Sequence, residues 1–141
     1  ELGVPVRFPP RHPFNPLAAL RLIVVAGCGV AAVQRVFRHI WAHGHGAETA
    51  AELAEVGAEL GIADVAAAIT QPSVKEGLKA STEAAVAAGV FGVPTLIVHG
   101  EPFFGQDATA FALAVHDRPE LLQEGEYARL AAIPVGVRRE R

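Results

Sequence analysis

Apolar side chains recur every three or four residues along most of the chain, and this spacing predicts amphipathic helices. A proline-rich stretch at residues 1–16 precedes them and predicts an extended connection, because proline disfavours a helix interior. Glycines after several apolar segments mark the expected helix ends. The first predicted helix begins at Leu17, further helices cover residues 30–43, 48–60 and 73–88, and a short helical turn covers residues 63–69.

The same spacing predicts which side chains form the core. Each helix carries an apolar stripe, and such stripes are buried by packing against one another. The residues expected to face inward are Leu17, Leu20 and Val24; Val33, Val36, Phe37, Ile40 and Trp41; Leu53, Val56 and Leu60; and Val74, Leu78 and Ala85.

The pattern changes after Gly89. Residues 94–98 and 101–104 are typical of strands, and the turn residues between them predict a β-hairpin. Gln106 and Asp107 are expected to open a final helix, whose inward side would consist of Ala108, Phe111, Ala112 and Val115. Two strands alone make no stable sheet under so many helices. Either the protein is nearly all-α, or partner strands precede Glu1.

Composition and charge narrow the classes of function. Apolar residues make up 51% of the 141 residues and charged residues 19%, which predicts a folded core and argues against intrinsic disorder. The formal net charge is −3 and there is no extended basic patch, so nucleic acid is not an expected partner. No apolar run reaches the roughly 18 residues of a membrane span, and we expect no membrane association. The first residues do not resemble a secretory signal, and with a single cysteine a cytoplasmic location is expected.

The chain contains no methionine and begins at Glu1. We therefore expect an N-terminal portion of the protein to lie upstream of this sequence.

Two patterns around the glycines at 27 and 29 invite a functional interpretation. Gly27-x-Gly29-x-x-Ala32 follows an apolar run and matches a dinucleotide-binding fingerprint, but no second strand with an acidic residue follows, so a helix–helix junction is favoured. Cys28 could be a nucleophile, although a lone cysteine in an apolar stretch is more often a small buried residue. Without a second cysteine, dithiol redox chemistry within this chain is excluded.

Three histidines cluster at residues 39, 43 and 45. His39 and His43 are four residues apart, so both could reach one metal ion from a single helix face. No glutamate or cysteine joins them at ligand spacing, and histidines also suit the negative end of a helix dipole. The dipole interpretation is favoured, and no metal site is predicted.

The most informative segment is Gly-Val-Phe-Gly-Val-Pro-Thr at residues 89–95, followed by the hairpin and by Phe-Phe-Gly-Gln-Asp at residues 103–107. A cis bond between Val93 and Pro94 would expose the backbone of Val93 to an extended peptide, which could pair as an added strand. Gln106 and Asp107 would open a helix whose N–H groups can hold the carboxylate of an amino-acid head, while Asp107 can pair with its ammonium group. An ordinary strand start and helix cap is the alternative explanation.

These two motifs resemble the thioredoxin-fold group that contains 2-hydroxychromene-2-carboxylate isomerase and kappa-class glutathione transferase, relatives of DsbA. Residues 8–9, 15–21 and 37–44 resemble the isomerases in the same order, and the resemblance extends to about Val115. It implies an α/β thioredoxin-like domain with an inserted all-helical domain. Residues 1–16 would be a connection, 17–72 the insertion, 73–118 the C-terminal part of the thioredoxin-like domain, and 119–141 a tail. The N-terminal strand–helix–strand would be missing from this chain.

The resemblance also implies a function and a site. Glutathione would be the cofactor, with Val93 beside cis-Pro94 on its cysteinyl backbone and Gln106 and Asp107 on its γ-glutamyl end. Asn15 would lie near the thiol and a small aromatic or enone substrate. The serine that stabilises the thiolate would lie upstream of Glu1, and Ser73 and Ser81 in a later helix cannot replace it.

The expected activity is a glutathione-dependent cis-trans isomerisation in aromatic-compound degradation, by a homodimer. A kappa-like glutathione transferase and a DsbA-like disulfide oxidoreductase are the nearest alternatives. A non-catalytic fragment or helical binding protein is the alternative of another class.

Overall fold

The computed structural model describes residues 3–134 and 136, and the chain divides into two compact units, Glu1–Glu83 and Ala84–Arg141. The first unit is helical. Its elements are α1 Leu17–Val25, α2 Val30–Phe37, a π-helical segment Arg38–Ala42, α3 Ala54–Glu59, α4 Val65–Thr70 and the first part of α5 Pro72–Ala87. The predicted boundary at residue 72 between an insertion and a thioredoxin-like part stays a prediction, since compactness does not identify an insertion.

The second unit contains the sheet. Its elements are the end of α5, strands β1 Thr95–Val98 and β2 Glu101–Phe104, helix α6 Thr109–Asp117, a 3-10 turn Pro119–Gln123 and α7 Gly125–Ala131. The strands are antiparallel, with Thr95 opposite Phe104 and Val98 opposite Glu101. The described part of the chain thus combines helices with one two-stranded sheet, which agrees with the predicted α/β class. Residues 135 and 137–141 of the predicted tail lie outside the described residues.

The core of the first unit forms where α1 packs against α2 and α4. Leu22, Val36, Leu53 and Val56 are almost completely buried there, and Ile40 lies in the same cluster. The predictions for Val36, Ile40, Leu53 and Val56 are therefore confirmed. A buried apolar cluster of this kind supplies most of the stability of a small helical unit.

The predicted inward face of α1 is wrong. Leu17 and Leu20 are exposed, whereas Ala18, Ala19 and Leu22 are buried. Helix α1 is apolar on almost every side, so its sequence pattern does not define which face is buried. Small alanines allow the neighbouring helix backbones to approach closely, and this packing selects the face. Phe37 on α2 is also exposed, against the prediction.

The helix expected from residue 48 begins later. Residues 49–53 form turns, and α3 starts at Ala54. Thr49 and Glu52 hold the turns before α3: the Glu52 carboxylate accepts hydrogen bonds from the backbone N–H groups of Glu48 and Thr49 at 2.8 and 3.0 Å. In return, Thr49 Oγ1 accepts the N–H of Glu52 at 3.2 Å, so the pair forms a capping box ahead of α3.

The second unit has its own core. Phe103 from β2 packs with Ala112 and Val115 from α6, and the ring of Phe111 meets Phe103 edge-on with centroids 5.7 Å apart. The prediction that Phe111, Ala112 and Val115 share the inward side of this helix is confirmed. No described helix combines the length and the apolar character that crossing a membrane requires.

Candidate functional site

Two glycines determine the conformation of the segment between α5 and β1. Helix α5 ends at Ala87. Gly89, two residues later, has a φ of +81°, and the N–H of Val90 donates to the carbonyl of Ala85 at 3.0 Å. This is a Schellman ending, which needs a residue with positive φ. Gly92 lies against the ring of Phe104, where a Cβ atom would come within 2.7 Å of Cε2. The structure therefore explains why both of these positions in the motif are glycine.

Val93 and Pro94 follow directly. Their peptide bond is cis, as the sequence predicts, and the side chain of Val93 is 84% exposed. Thr95 Oγ1 donates to the carbonyl of Gly92 at 2.7 Å and so closes the turn before β1. The backbone beside Val93 is thus held in a defined conformation at the surface, which is what an extended peptide ligand would need.

A backbone hydrogen bond brings the two halves of the predicted site together. The N–H of Gly105 donates to the carbonyl of Pro94 at 2.9 Å, so Gln106 and Asp107 leave the hairpin next to the cis peptide. Gly105 has a φ of +95°, and a Cβ atom there would collide with Oδ1 of Asp107. The carboxylate of Asp107 therefore folds back over Gly105, and a larger residue at 105 would displace it.

The expected start of the last helix is wrong by two residues. Helix α6 begins at Thr109, whereas Gln106 and Asp107 are exposed in the turn before it. The carbonyl of Gln106 accepts the N–H of Thr109 at 3.2 Å, and no side chain caps the helix. In the described part of the chain, the N–H groups of Ala110 and Phe111 in the first turn of α6 have no acceptor and remain available to an anion.

Asn15 lies in the first unit and the other predicted site residues lie in the second. Its Oδ1 accepts the N–H of Leu17 at 3.1 Å, and its own N–H donates to the Glu48 carboxylate at 3.0 Å. Both bonds fix the chain where it enters α1. A contact of Asn15 with substrate stays a prediction.

The patterns around Gly27 and Cys28 are explained by local structure. The residues before Gly27 form helix α1 and not a strand, so the structural context of a dinucleotide fingerprint is lacking and the favoured helix–helix junction is confirmed. Gly27 and Cys28 both have positive φ values, +79° and +57°, as the turn between α1 and α2 requires. Cys28 is exposed, so the expectation of a buried cysteine is wrong. The turn takes Cys28 away from the apolar face.

The histidine cluster differs from the one that the spacing predicted. His39 and His45 approach each other, with their Nδ1 atoms 3.2 Å apart, and Glu55 from α3 joins them; the possible ligand atoms of these three residues lie within 4.8 Å of one another. Glu55 stands at no ligand spacing from the histidines in the sequence, and it comes near them only in the folded chain. Glu55 is ten residues further along the chain, so only the packing of α3 brings it there, and no spacing rule could have identified it.

Comparison with known proteins identifies the fold. The model of the DSBA-like thioredoxin domain family matches residues 1–115. A solved structure of 2-hydroxychromene-2-carboxylate isomerase, in selenomethionine form, superimposes with a TM-score of 0.68 at 25% sequence identity. The alignment covers 91% of this chain and 63% of that one, so this chain spans less than two thirds of the isomerase's length. No curated protein matches the sequence.

Proposed function

The chain belongs to the family of DSBA-like thioredoxin domains, and from this premise we propose that it takes part in a glutathione-dependent isomerisation of the 2-hydroxychromene-2-carboxylate type. The observation that carries the proposal is the juxtaposition of the cis peptide before Pro94 with the turn at Gln106 and Asp107, in a chain similar to such an isomerase.

Glutathione fits the chemistry of this surface. Its cysteinyl backbone would pair with the exposed backbone at Val93 as an added strand. Its γ-glutamyl ammonium would pair with Asp107, and its γ-glutamyl carboxylate would take the free N–H groups at the start of α6 and the amide of Gln106. Two opposite charges on one ligand thus meet two complementary groups on the protein.

The residues of this unit would orient the reaction. Bound glutathione would supply a thiolate for reversible addition to a conjugated carbonyl compound, which turns a double bond into a single bond that can rotate until elimination of the thiolate restores it. Val93 and Asp107 would fix the position of the tripeptide, and positioning of this kind accounts for a large part of the rate of such reactions. The exposed rings of Phe91 and Phe104, with centroids 5.0 Å apart, offer an apolar surface for an aromatic substrate.

Glutathione binding tests the proposed site. We expect Asp107→Asn to weaken binding about 10- to 100-fold in titration calorimetry, because a hydrogen-bonded charge pair is worth roughly 1.5–3 kcal/mol. Asp117→Asn is the matched control, since Asp117 is exposed at the other end of α6, and we expect unchanged binding. Equal affinities of the two variants, or no binding of glutathione by the parent protein, would contradict the site.

Product analysis tests the reaction. The protein is incubated with 2-hydroxychromene-2-carboxylate, with and without glutathione, and the isomer ratio is followed by chromatography. We expect glutathione-dependent conversion to the other isomer without a lasting conjugate. A stable glutathione conjugate would indicate a transferase instead, and binding without any turnover would indicate a non-catalytic protein.

A further inference from the structure

We propose that His39, His45 and Glu55 form a binding site for a zinc ion in the first unit. The three residues come from the π-helical segment, from the loop after it and from the first turn of α3. Two imidazoles and one carboxylate are a ligand set that zinc uses in proteins, with a water molecule completing the tetrahedron. The site is independent of the proposed glutathione site, whose residues Val93 and Asp107 belong to the second unit.

The separation of the two imidazoles matches a zinc site. Zinc binds imidazole nitrogen at about 2.0–2.1 Å, so two such ligands of a tetrahedral ion lie roughly 3.3 Å apart. The Nδ1 atoms of His39 and His45 are 3.2 Å apart, and their rings are inclined at 75°. This separation allows one ion to bind both nitrogens.

The buried histidine is fixed in the tautomer that a ligand needs. His39 is only 6% exposed, and its Nε2 lies 3.1 Å from the carbonyl oxygen of Gly46. A carbonyl can only accept, so in the neutral ring Nε2 carries the hydrogen and Nδ1 presents its lone pair towards His45. A histidine ligand that donates its second N–H to a backbone carbonyl is the usual arrangement around protein-bound metals.

The backbone explains how the site is assembled. The π-helical segment ends at Ala42; Gly44, just after it, has a φ of +73°, and the N–H of His45 donates to the carbonyl of His39 at 3.1 Å. This return places the ring of His45 over that of His39. A wider turn inside a helix of this kind frequently occurs at a functional site.

Glu55 completes the set from the opposite side of an open depression of about 460 Å³, which His39, His45, Glu52 and Glu55 line in part. The side chain of Glu55 is exposed, so it can rotate to close the remaining distance to the two nitrogens. The depression gives an ion and its water molecule access from solvent. Its two carboxylates favour a cation over an anion.

Without an ion, the two rings would instead share a simple hydrogen bond, in which Nδ1–H of His45 donates to Nδ1 of His39. That arrangement needs no carboxylate. The zinc site and the hydrogen bond therefore make different predictions for Glu55, and this difference decides between them.

Titration calorimetry with zinc ions tests the site. We expect one zinc ion per chain, and at least tenfold weaker binding in each of the variants His45→Asn and Glu55→Gln. Both positions are exposed, so these variants should keep the fold, and circular dichroism checks that they do. The matched control is His43→Asn, because His43 is an exposed histidine of the same loop that is not in the ligand set. We expect less than a twofold change for it.

Cobalt(II) provides a second measurement that does not depend on affinity. A four-coordinate cobalt ion absorbs strongly in the visible range, and we expect this band in the parent protein and in His43→Asn but not in His45→Asn. The proposal is overturned if zinc fails to bind, if Glu55→Gln binds zinc as tightly as the parent, or if His43→Asn weakens binding as much as His45→Asn.

Discussion

At the scale of single residues, Glu52 shows how one carboxylate fixes a local structure. Its oxygens accept hydrogen bonds from the backbone N–H groups of Glu48 and Thr49 and from the hydroxyl of Thr49. The backbone N–H of Glu48 is the main reason that the pKa of Glu52 lies below its ordinary value of 4.5, and partial burial opposes this effect. The folded state therefore stabilises the charged form of the Glu52 carboxyl group.

The lowered pKa predicts a dependence of stability on pH. A group whose pKa falls on folding contributes stability above its unfolded pKa and loses that contribution as the pH falls through its folded value. We expect Glu52→Gln, which keeps an accepting oxygen and removes only the charge, to reduce the free energy of unfolding by less than about 1 kcal/mol at pH 7, and the difference to narrow below pH 4.5. Urea unfolding at several pH values measures it.

The control for this measurement is Glu76→Gln, because Glu76 is exposed on α5. We expect it to leave stability within about 0.5 kcal/mol of the parent across the same range. A difference between Glu52→Gln and the parent that stays constant with pH would show that the charge of Glu52 is not what stabilises the turn.

At the scale of the elements, the approach of the 89–95 segment to strand β2 depends on Gly92. A Cβ atom at this position would lie 2.7 Å from the ring of Phe104, closer than real contacts allow. Because Phe104 is about half-exposed, its ring can move outward, and this movement would disturb its pairing with Phe91. The 89–95 segment can therefore lie this close to the ring of Phe104 only while residue 92 is glycine.

This contact predicts the effect of Gly92→Ala. We expect the variant to lower the free energy of unfolding by about 1 kcal/mol, the low end for overpacking, because the displaced ring is only partly buried. Gly29→Ala makes the same change where a Cβ atom meets nothing within 4 Å, and because Gly29 is the N-cap of α2, any loss there reports the cap and not crowding. Urea unfolding compares each variant with the parent, and equal stabilities of Gly92→Ala and the parent would show that Phe104 accommodates the methyl group freely.

The elements also show what the sequence could predict. The periodic apolar spacing located α5, the hairpin, and α2 together with the π-helical segment that follows it, to within a residue or two, because in them a single local pattern determines the structure. It misassigned the inward face of α1, where apolar residues on nearly all sides leave the choice to packing. It also began α3 too early, at residue 48, because the apolar pattern does not register the side-chain hydrogen bonds of Thr49 and Glu52 that hold turns before the helix.

Whether the sequence could group the residues of a candidate site depends on how their separation along the chain is bridged. Val93, Pro94, Gln106 and Asp107 lie at the two ends of a hairpin, so the strand register alone brings them together, and the sequence was sufficient to group them. Glu55 reaches His39 and His45 only through the packing of α3. A contact that arises only from the packing of helices produces no recognisable residue spacing, so the sequence could not reveal it.

At the scale of the whole molecule, the two proposed sites belong to different compact units, so each ligand should protect its own part of the chain from hydrogen exchange. We expect zinc to slow amide exchange in residues 38–59, where its ligands lie, and glutathione to slow exchange in residues 92–109. Exchange is carried out on the folded protein, which is then digested, and mass spectrometry of the peptides measures both regions in one experiment. His45→Asn should remove the zinc effect while the glutathione effect remains, and Asp107→Asn should do the reverse. If zinc protected residues 92–109 instead, its binding residues would have to be sought in the second unit, and if neither ligand produced local protection, both sites would be wrong.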